Sequence, residues 1–498
     1  MAGLKSLAKD TAIYGMSSII GRFLNYLLVP LYTAKLSAAS GGYGVVTNVY
    51  AITALLLILL TYGMETGFFR FANKSEENPQ TVYSTTLLSI GGTSLLFVLL
   101  CFTFLHPISN FLGYESHPDF VAMMSIVVAL DAFQSIPFAY LRYKKRPIRF
   151  ASLKLLFIFS NILLNLLFFV WAPALYQSHP DLVSWFYHPS YGVGYVFLAN
   201  LLCTGGITLA LIPELIGFKY TFNKELMKRM FKYSFPILIL GLAGILNQTV
   251  DKIIFPFVMG KTPEAAVQLG IYGAASKIAM IMAMFTQAFR YAYEPFVFGK
   301  SKDKDNRQMY ATAMKFFIIF TLLAFLTVMF YLDILRHIIA PDYWVGLQVV
   351  PIVMAAEMFM GIYFNLSFWY KLIDQTKWGA YFSLIGCVII VVLNIVFVPM
   401  YGYIACAWAG FIGYATVMII SYWIGQKKYP IHYDLKSIGK YTLLSVILYL
   451  LAMYVPIENI YLRLSFRTLL LFVFIAYTIK NDFPLSQIPI INRLIKKQ

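Results

Sequence analysis

Charge is what this sequence has least of. Only 12% of its 498 residues are Asp, Glu, Lys or Arg, where soluble domains carry about a quarter. Its 39 basic and 22 acidic side chains are clustered, leaving uncharged runs at 36–64, 78–114, 182–213 and 378–426. Each run is long enough for one bilayer crossing of about 20 residues, and the last for two. In a chain that is 60% hydrophobic, such runs exclude a soluble enzyme, a disordered chain and a disulfide scaffold. Cysteine is scarce too. Cys101, Cys203, Cys387 and Cys406 lie in apolar runs without metal-like spacing or paired loop positions, and read as core packing. Five of the six histidines (His106, His117, His179, His188 and His337) fall in outer loops without ligand spacing. A phosphate-gripping G-x-x-x-x-G-K-[ST] loop is missing, so ATP hydrolysis is not expected of this chain. No metal, cofactor or catalytic residue is expected.

What is present is a succession of spans. Runs of about 20 residues punctuated by charge, Pro and Gly predict helices near 11–34, 44–69, 81–105, 119–141, 150–172, 191–212, 233–259, 269–298, 310–334, 346–370, 379–398, 403–425, 441–455 and 464–479. The predicted class is therefore an all-α integral membrane protein of about fourteen transmembrane helices. Short cytoplasmic loops retain Lys and Arg. With the N-terminus inside, the inner segments hold 28 of these residues and the outer loops only Lys35, Lys261, Arg336 and Arg463. Both termini are expected in the cytoplasm, and the net charge of +17 reflects sidedness rather than nucleic-acid binding.

An internal repeat organises the spans. A shift of 226 to 229 positions sets Asn25-Tyr26-Leu27-Leu28-Val29-Pro30 on Asp251-Lys252-Ile253-Ile254-Phe255-Pro256, and Tyr43-Gly44 on Tyr272-Gly273. Leu164-Asn165-Leu166 then falls on Leu393-Asn394-Ile395. Each copy has six spans, so the copies are parallel repeats related by an axis along the membrane normal. The expected organisation is an N-terminal lobe at 1–212, a cytoplasmic amphipathic linker at 213–232, a second lobe at 233–425, and two more helices with a basic tail at 426–498. In the linker, Leu226, Met227, Met230 and Phe231 lie opposite Lys224, Lys228, Arg229 and Lys232. Two readings stand for it, an in-plane amphipathic helix or a solvated basic connector. Kinks at Pro137, Pro236, Pro256 and Pro351 are either hinges or static.

Ionisable groups within spans are costly and tend to face a bundle interior or a cavity. In the first span Thr11, Gly15, Ser18, Arg22 and Asn25 form one polar stripe, with Arg22 near mid-span. Arg22 either lines a cavity or pairs structurally with Asp131 or Glu357. The seventh span repeats the pattern with Gly241, Gly244, Gln248 and Asp251, then Lys252. Asp251 and Lys252 are side by side, so they need not pair with each other. Asp251 is either a site for a coupling proton or sodium ion or a structural counter-ion. In the eighth span Met280, Gln287 and Glu294 share a line, flanked by Lys277 and Arg290, which point roughly 140° apart. The deep charges expected are thus Arg22, Lys252, Lys277 and Arg290 against Asp131, Asp251 and Glu357, leaving the sign of a cavity open. Asn165 and Asn394 read as helix–helix hydrogen-bond glue. Arg and Lys in a dry-walled cavity suit a pyrophosphate.

Several stretches carry a family resemblance: Tyr14-Gly15-Met16-Ser17-Ser18, Arg22-Phe23-Leu24-Asn25, Val29-Pro30-Leu31-Tyr32-Thr33, and Gly63-Met64-Glu65-Thr66-Gly67-Phe68-Phe69-Arg70. So do Tyr272-Gly273-Ala274-Ala275-Ser276-Lys277 and Pro399-Met400-Tyr401-Gly402-Tyr403. They resemble the polysaccharide-transporter, or oligosaccharide flippase (Wzx-like), branch of the multidrug/oligosaccharidyl-lipid/polysaccharide exporter superfamily. The resemblance covers essentially the whole chain. It implies a V-shaped, two-lobed bundle in the bacterial cytoplasmic membrane that moves undecaprenyl-pyrophosphate-linked oligosaccharide between leaflets by alternating access. It further implies a cavity in which Arg22, Lys277 and Arg290 face the substrate, joined by Ser18, Asn25, Gln287 and Lys252. Asp251, Asp131 and Glu357 would then serve coupling to H+ or Na+, and a glycan polymerase and glycosyltransferases would be partners. A lipid II flippase and a drug/cation antiporter are the neighbouring readings. A membrane glycan polymerase or ligase, and a scaffold, are the readings from other classes.

Overall fold

The computed structural model describes residues 26–74, 77–299, 306–373 and 375–482. Among the described residues there are no strands, and twelve helices are long and apolar enough to cross a membrane. In lipid every main-chain polar group must be satisfied within its own segment, so an apolar run in an open chain becomes a helix. Each of the twelve coincides with an expected span. The sixth expected span is the shorter helix Gly194–Ala210, and the first lies mostly outside the described residues. All four cysteines are buried and unpaired.

The chain divides into two units. The first comprises Met1–Ala274 with Cys387–Cys406. Its helices include α1 (Leu28–Lys35), α2 (Gly42–Thr61), α3 (Met64–Ala72), α4 (Pro79–Thr103), α5 (Pro118–Tyr143), α6 (Pro147–Leu166), α7 (Gly194–Ala210) and α8 (Lys224–Val258). The start of α9 (Pro263–Gly299) follows. Local chemistry sets their ends. Pro79, Pro118 and Pro147 open α4, α5 and α6, where a missing N–H costs nothing. Asn223 caps α8 by accepting from the Leu226 amide at 3.0 Å. Helices α2 and α3 belong to one span, broken where Tyr62 and Gly63 adopt φ of 32° and 72°. Gly63 takes this conformation without strain and Tyr62 does not. The break places Glu65 in the first turn of α3, where the helix dipole favours a carboxylate.

The basic stretch before the seventh span is not a separate in-plane helix. Lys224–Val258 is one helix. Leu226 and Met230 are fully buried under Met64, Phe68, Phe71 and Val82, while Lys224, Lys228, Arg229 and Lys232 stay exposed. Leu226 and Met230 of the amphipathic pattern thus serve a protein core, while Phe231 is exposed. Pro236 and Pro256 lie inside this helix and Pro137 inside α5.

Sequence-equivalent positions of the two repeats meet in a close crossing of α2 and α9. A side chain added at Gly44 would lie 1.9 Å from the Ala266 carbonyl oxygen, and one at Gly273 would lie 2.4 Å from the Thr47 hydroxyl. Only small residues let two membrane helices approach this closely.

The second unit comprises Ala275–Gly386 and Ala407–Gln498. It holds the rest of α9, then α10 (Asn306–Phe330), α11 (Val350–Leu366), parts of α12 (Lys377–Tyr401) and α13 (Tyr403–Lys428), α14 (Leu435–Tyr454) and α15 (Ile460–Asn481). Pro351 produces no mid-helix kink, because it stands in the first turn of α11. Helices α14 and α15 are tied to the α10 segment at both ends. At one end Asp333 takes Arg463 at 3.0 Å and the buried Arg467 at 2.8 Å. At the other, Lys315 bridges Asp434 at 3.3 Å and Asp482. Leu443, Val446, Ile447, Leu469 and Phe472 are exposed, the side chains that lipid covers.

Candidate functional site: charges held within the spans

Helix α8 presents Asp251 and Lys252 near its far end, and the two do pair. Lys252 Nζ donates to Asp251 Oδ2 at 3.0 Å and Oδ1 at 3.1 Å, and to the Gln248 carbonyl at 3.2 Å. Adjacent positions do not require the pair, and the lysine stem makes it. Successive Cβ atoms diverge by about 100° around a helix, yet four methylenes bring the ammonium back, and lipid offers a separated pair no water. The Tyr272 hydroxyl donates to Asp251 Oδ2 at 2.8 Å, and Lys252 Nζ lies 5.3 Å from that ring's centre. Asn48 fixes the backbone here. Its Nδ2 donates to the Lys252 carbonyl at 2.7 Å, while its Oδ1 accepts from Tyr114 at 2.7 Å. Asp251, Lys252 and Tyr272 thus form one hydrogen-bonded group.

A second group surrounds Asp131 of α5. The carboxylate faces Lys154 of α6 and the Thr204 hydroxyl of α7, with Tyr50 of α2 also in its field. Asn200 Nδ2 donates to the Tyr50 oxygen at 2.9 Å, and Gln134 Nε2 donates to the Thr204 carbonyl at 2.9 Å and to Thr208 Oγ1 at 2.8 Å. Lys154 Nζ lies 4.0 Å from the Phe138 ring centre. One helical turn on, Arg142 is paired with Glu65 and stacks 5.0 Å from Phe69. Deeper in α6, Asn165 Oδ1 accepts from Tyr32 at 2.9 Å, a bond between helices. Asn394, by contrast, donates to Ile390 of its own helix at 2.7 Å.

In the second unit α9 carries Lys277, Gln287 and Arg290, and α11 carries Glu357. Gly361 brings α11 hard against Thr286 and Phe317, since an added side chain would meet them at 2.9 Å and 2.5 Å. One turn beyond Gly361, the Phe364 ring lies 5.1 Å from the Arg290 guanidinium. Arg290 is exposed, Lys277, Gln287 and Glu357 are half-buried, and none of the four is without a partner. Arg22, Ser18 and Asn25 lie outside the described residues, as does the side chain of Glu294.

Three cations escaped the sequence reading: Lys154, Lys315 and Arg467 all stand within spans. Each is a single cation in an apolar run, the same signal that singled out Lys277. Lys315 and Arg467 are neutralised by acids of the same unit, whereas Lys154 makes no ion pair among the described residues.

Comparison with known proteins now bears on this arrangement. The model of a family described as polysaccharide biosynthesis protein matches residues 7–292, and that of the MatE family matches residues 240–396. An uncharacterized membrane protein of Haemophilus influenzae is 26% identical over 309 residues, spanning 60% of this chain and 66% of that relative. The lipid II flippase MurJ in an inward closed conformation shares the fold with a TM-score of 0.73 at 17% identity, over 94% of this chain and 99% of its own. An inward-facing multidrug resistance MATE family transporter of the MOP superfamily follows with a TM-score of 0.62 at 14% identity, over 84% of this chain and 95% of its own. These relatives by fold are a flippase and a transporter, not enzymes. With its charged spans arranged in that fold and the family model covering residues 7–292, the chain belongs to the polysaccharide biosynthesis protein family.

Proposed function

We propose that the protein is a flippase that carries polyprenyl-pyrophosphate-linked oligosaccharide from the inner to the outer leaflet of a bacterial cytoplasmic membrane, for surface polysaccharide such as O-antigen, capsule or exopolysaccharide. The observation that carries the reading is the presence of Lys252, Lys277 and Arg290 inside spans of a chain from a polysaccharide biosynthesis family. Cations in a dry-walled passage offset the charge of a pyrophosphate, and an arginine fork matches phosphoryl oxygens.

In this reading lobes 1–212 and 233–425, joined by 213–232 and followed by 426–498, open alternately to the two sides. Arg22, Lys277 and Arg290 receive the pyrophosphate, and Ser18, Asn25 and Gln287 offer hydrogen bonds to the glycan. Lys252 joins them when it leaves Asp251. Asp251, Asp131 and Glu357 are the groups at which a proton or Na+ would couple to the step. Glycosyltransferases supply the substrate and a glycan polymerase consumes it. A drug/cation antiporter is the second reading, favoured by the fold shared with a multidrug resistance transporter.

The test is translocation in proteoliposomes, comparing labelled undecaprenyl-pyrophosphate oligosaccharide with a cationic dye. The native protein is expected to move the glycolipid, and Arg22→Ala and Arg290→Ala each to slow it at least roughly tenfold. Dye movement without glycolipid movement overturns the flippase and turns attention to the three acids.

A further inference from the structure

Lys154 is the one deep cation of the first unit's described residues that forms no ion pair. Leu156, Phe159 and Leu163 form the exposed stripe of α6, the face that meets lipid. Lys154 lies roughly 140–180° around the helix from that stripe, on the side of the buried Ile158, Asn161 and Asn165. It is nevertheless exposed. An ammonium exposed within a span, but turned from the lipid-facing stripe, is placed to meet a polar ligand rather than hydrocarbon.

Its surroundings are charged but do not close on it. Lys154 feels Asp131, Glu65 and Arg142. Glu65 and Arg142 are committed to each other, which leaves Asp131 as the opposing charge. Asp131 faces Lys154 without forming an ion pair, and Phe138 holds the ammonium by its ring face at 4.0 Å. Of the elements packed on α5, α2 contributes Tyr50, α3 contributes Glu65, α7 contributes Thr204, Leu105–Leu112 carries His106, the turn Ile212–Glu214 carries Glu214, which Arg149 holds, and α4 contains no charged side chain. An anion that reaches this space therefore meets one available cation and one competing carboxylate.

We infer that Lys154 is a phosphoryl-binding cation and that Asp131 is the counter-ion the phosphoryl group displaces. The inference rests on the flippase reading only for the carrier of that group, since a lipid-linked pyrophosphate and an anionic phospholipid present the same oxygens. Between ligands Asp131 is the carboxylate that faces the ammonium. When a phosphoryl oxygen takes the ammonium, the carboxylate opposes it, so the acid sets an upper limit on affinity and eases release. The two residues accordingly act with opposite sign, a pattern that a structural pair does not produce.

The experiment measures binding of undecaprenyl-pyrophosphate oligosaccharide, phosphatidylglycerol and inorganic pyrophosphate to the full chain in nanodiscs of zwitterionic lipid. Native protein is compared with Lys154→Gln, Lys154→Arg and Asp131→Asn, each checked for native thermal unfolding. Lys154→Gln is expected to weaken binding roughly tenfold or more, Lys154→Arg to retain it, and Asp131→Asn to tighten it several-fold. Equal binding by native and Lys154→Gln protein overturns the inference, as does weakening by Asp131→Asn. Lys154-dependent binding of phosphatidylglycerol or pyrophosphate without the glycolipid keeps the site and removes the flippase reading. Glycolipid binding indifferent to Lys154 keeps that reading and removes the site. Binding of none of the three removes both.

Discussion

Asp434 concentrates two kinds of stabilisation in one carboxylate. It caps α14 by accepting from the Ser437 amide at 3.0 Å, and it takes Lys315 at 3.3 Å. The Ser437 amide first, and Lys315 after it, hold the carboxyl below its ordinary range. A group whose folded pKa is depressed contributes fully above its unfolded value, about 3.9, and loses that contribution as pH falls through the folded value. Asp434→Ala is expected to cost about 1 kcal/mol at neutral pH, mostly the cap, because half-exposed ion pairs add little. Thermal unfolding of both proteins from pH 7 to pH 3 checks this, with the difference closing at the acid end. At this scale the sequence located charges but not their geometry. Asp251 and Lys252 are legible as deep, yet whether the lysine stem returns to its neighbour depends on Tyr272, which is supplied by another helix. Lys154 was hidden for a different reason, since a lone cation near a basic loop reads as part of that loop.

Among the elements, the crossing of α2 and α9 is the least tolerant feature. Gly44→Ala forces a methyl onto the Ala266 carbonyl, which is backbone and cannot swing aside. The expected loss is at least about 3 kcal/mol. Gly92→Ala is the control, because nothing lies within 4 Å of its added methyl and it should be neutral or stabilising by up to about 1 kcal/mol. Unfolding temperatures in detergent separate the two. The spans themselves were legible, since scarce charge marks their ends. The division at Tyr62–Gly63 was not, because an apolar run reads alike whether its helix continues or breaks. The union of the basic stretch with α8 was hidden likewise: Leu226 and Met230 suit a lipid surface and the core beneath Met64 and Phe68 equally well.

For the whole molecule, sidedness is the property that sequence argues most directly and that labelling checks. Lys145 and Ser184 are both exposed, at opposite ends of the span Pro147–Ser178 and its short extension. In intact cells an impermeant maleimide is expected to label Ser184→Cys and to spare Lys145→Cys until the membrane is opened. Labelling of both from outside would overturn the assignment of cytoplasmic termini. Family was legible from motifs spread along the chain. The cargo was not, because motifs fix backbone approach and helix ends, whereas selection of a glycan depends on how side chains from several helices meet.

The first unit also meets its membrane at unequal heights. Helix α7 has 17 residues, about 25 Å, and exposes Leu202 and Leu209; a bilayer's hydrocarbon is about 30 Å thick. Helix α8, with 35 residues, reaches about 52 Å. Lipid beside α7 must thin, or the flanking residues must stretch, at fractions of a kcal/mol for each ångström of mismatch. Lengthening the acyl chains of the host by two or three carbons therefore loads this single helix by about as much as one hydrogen bond contributes.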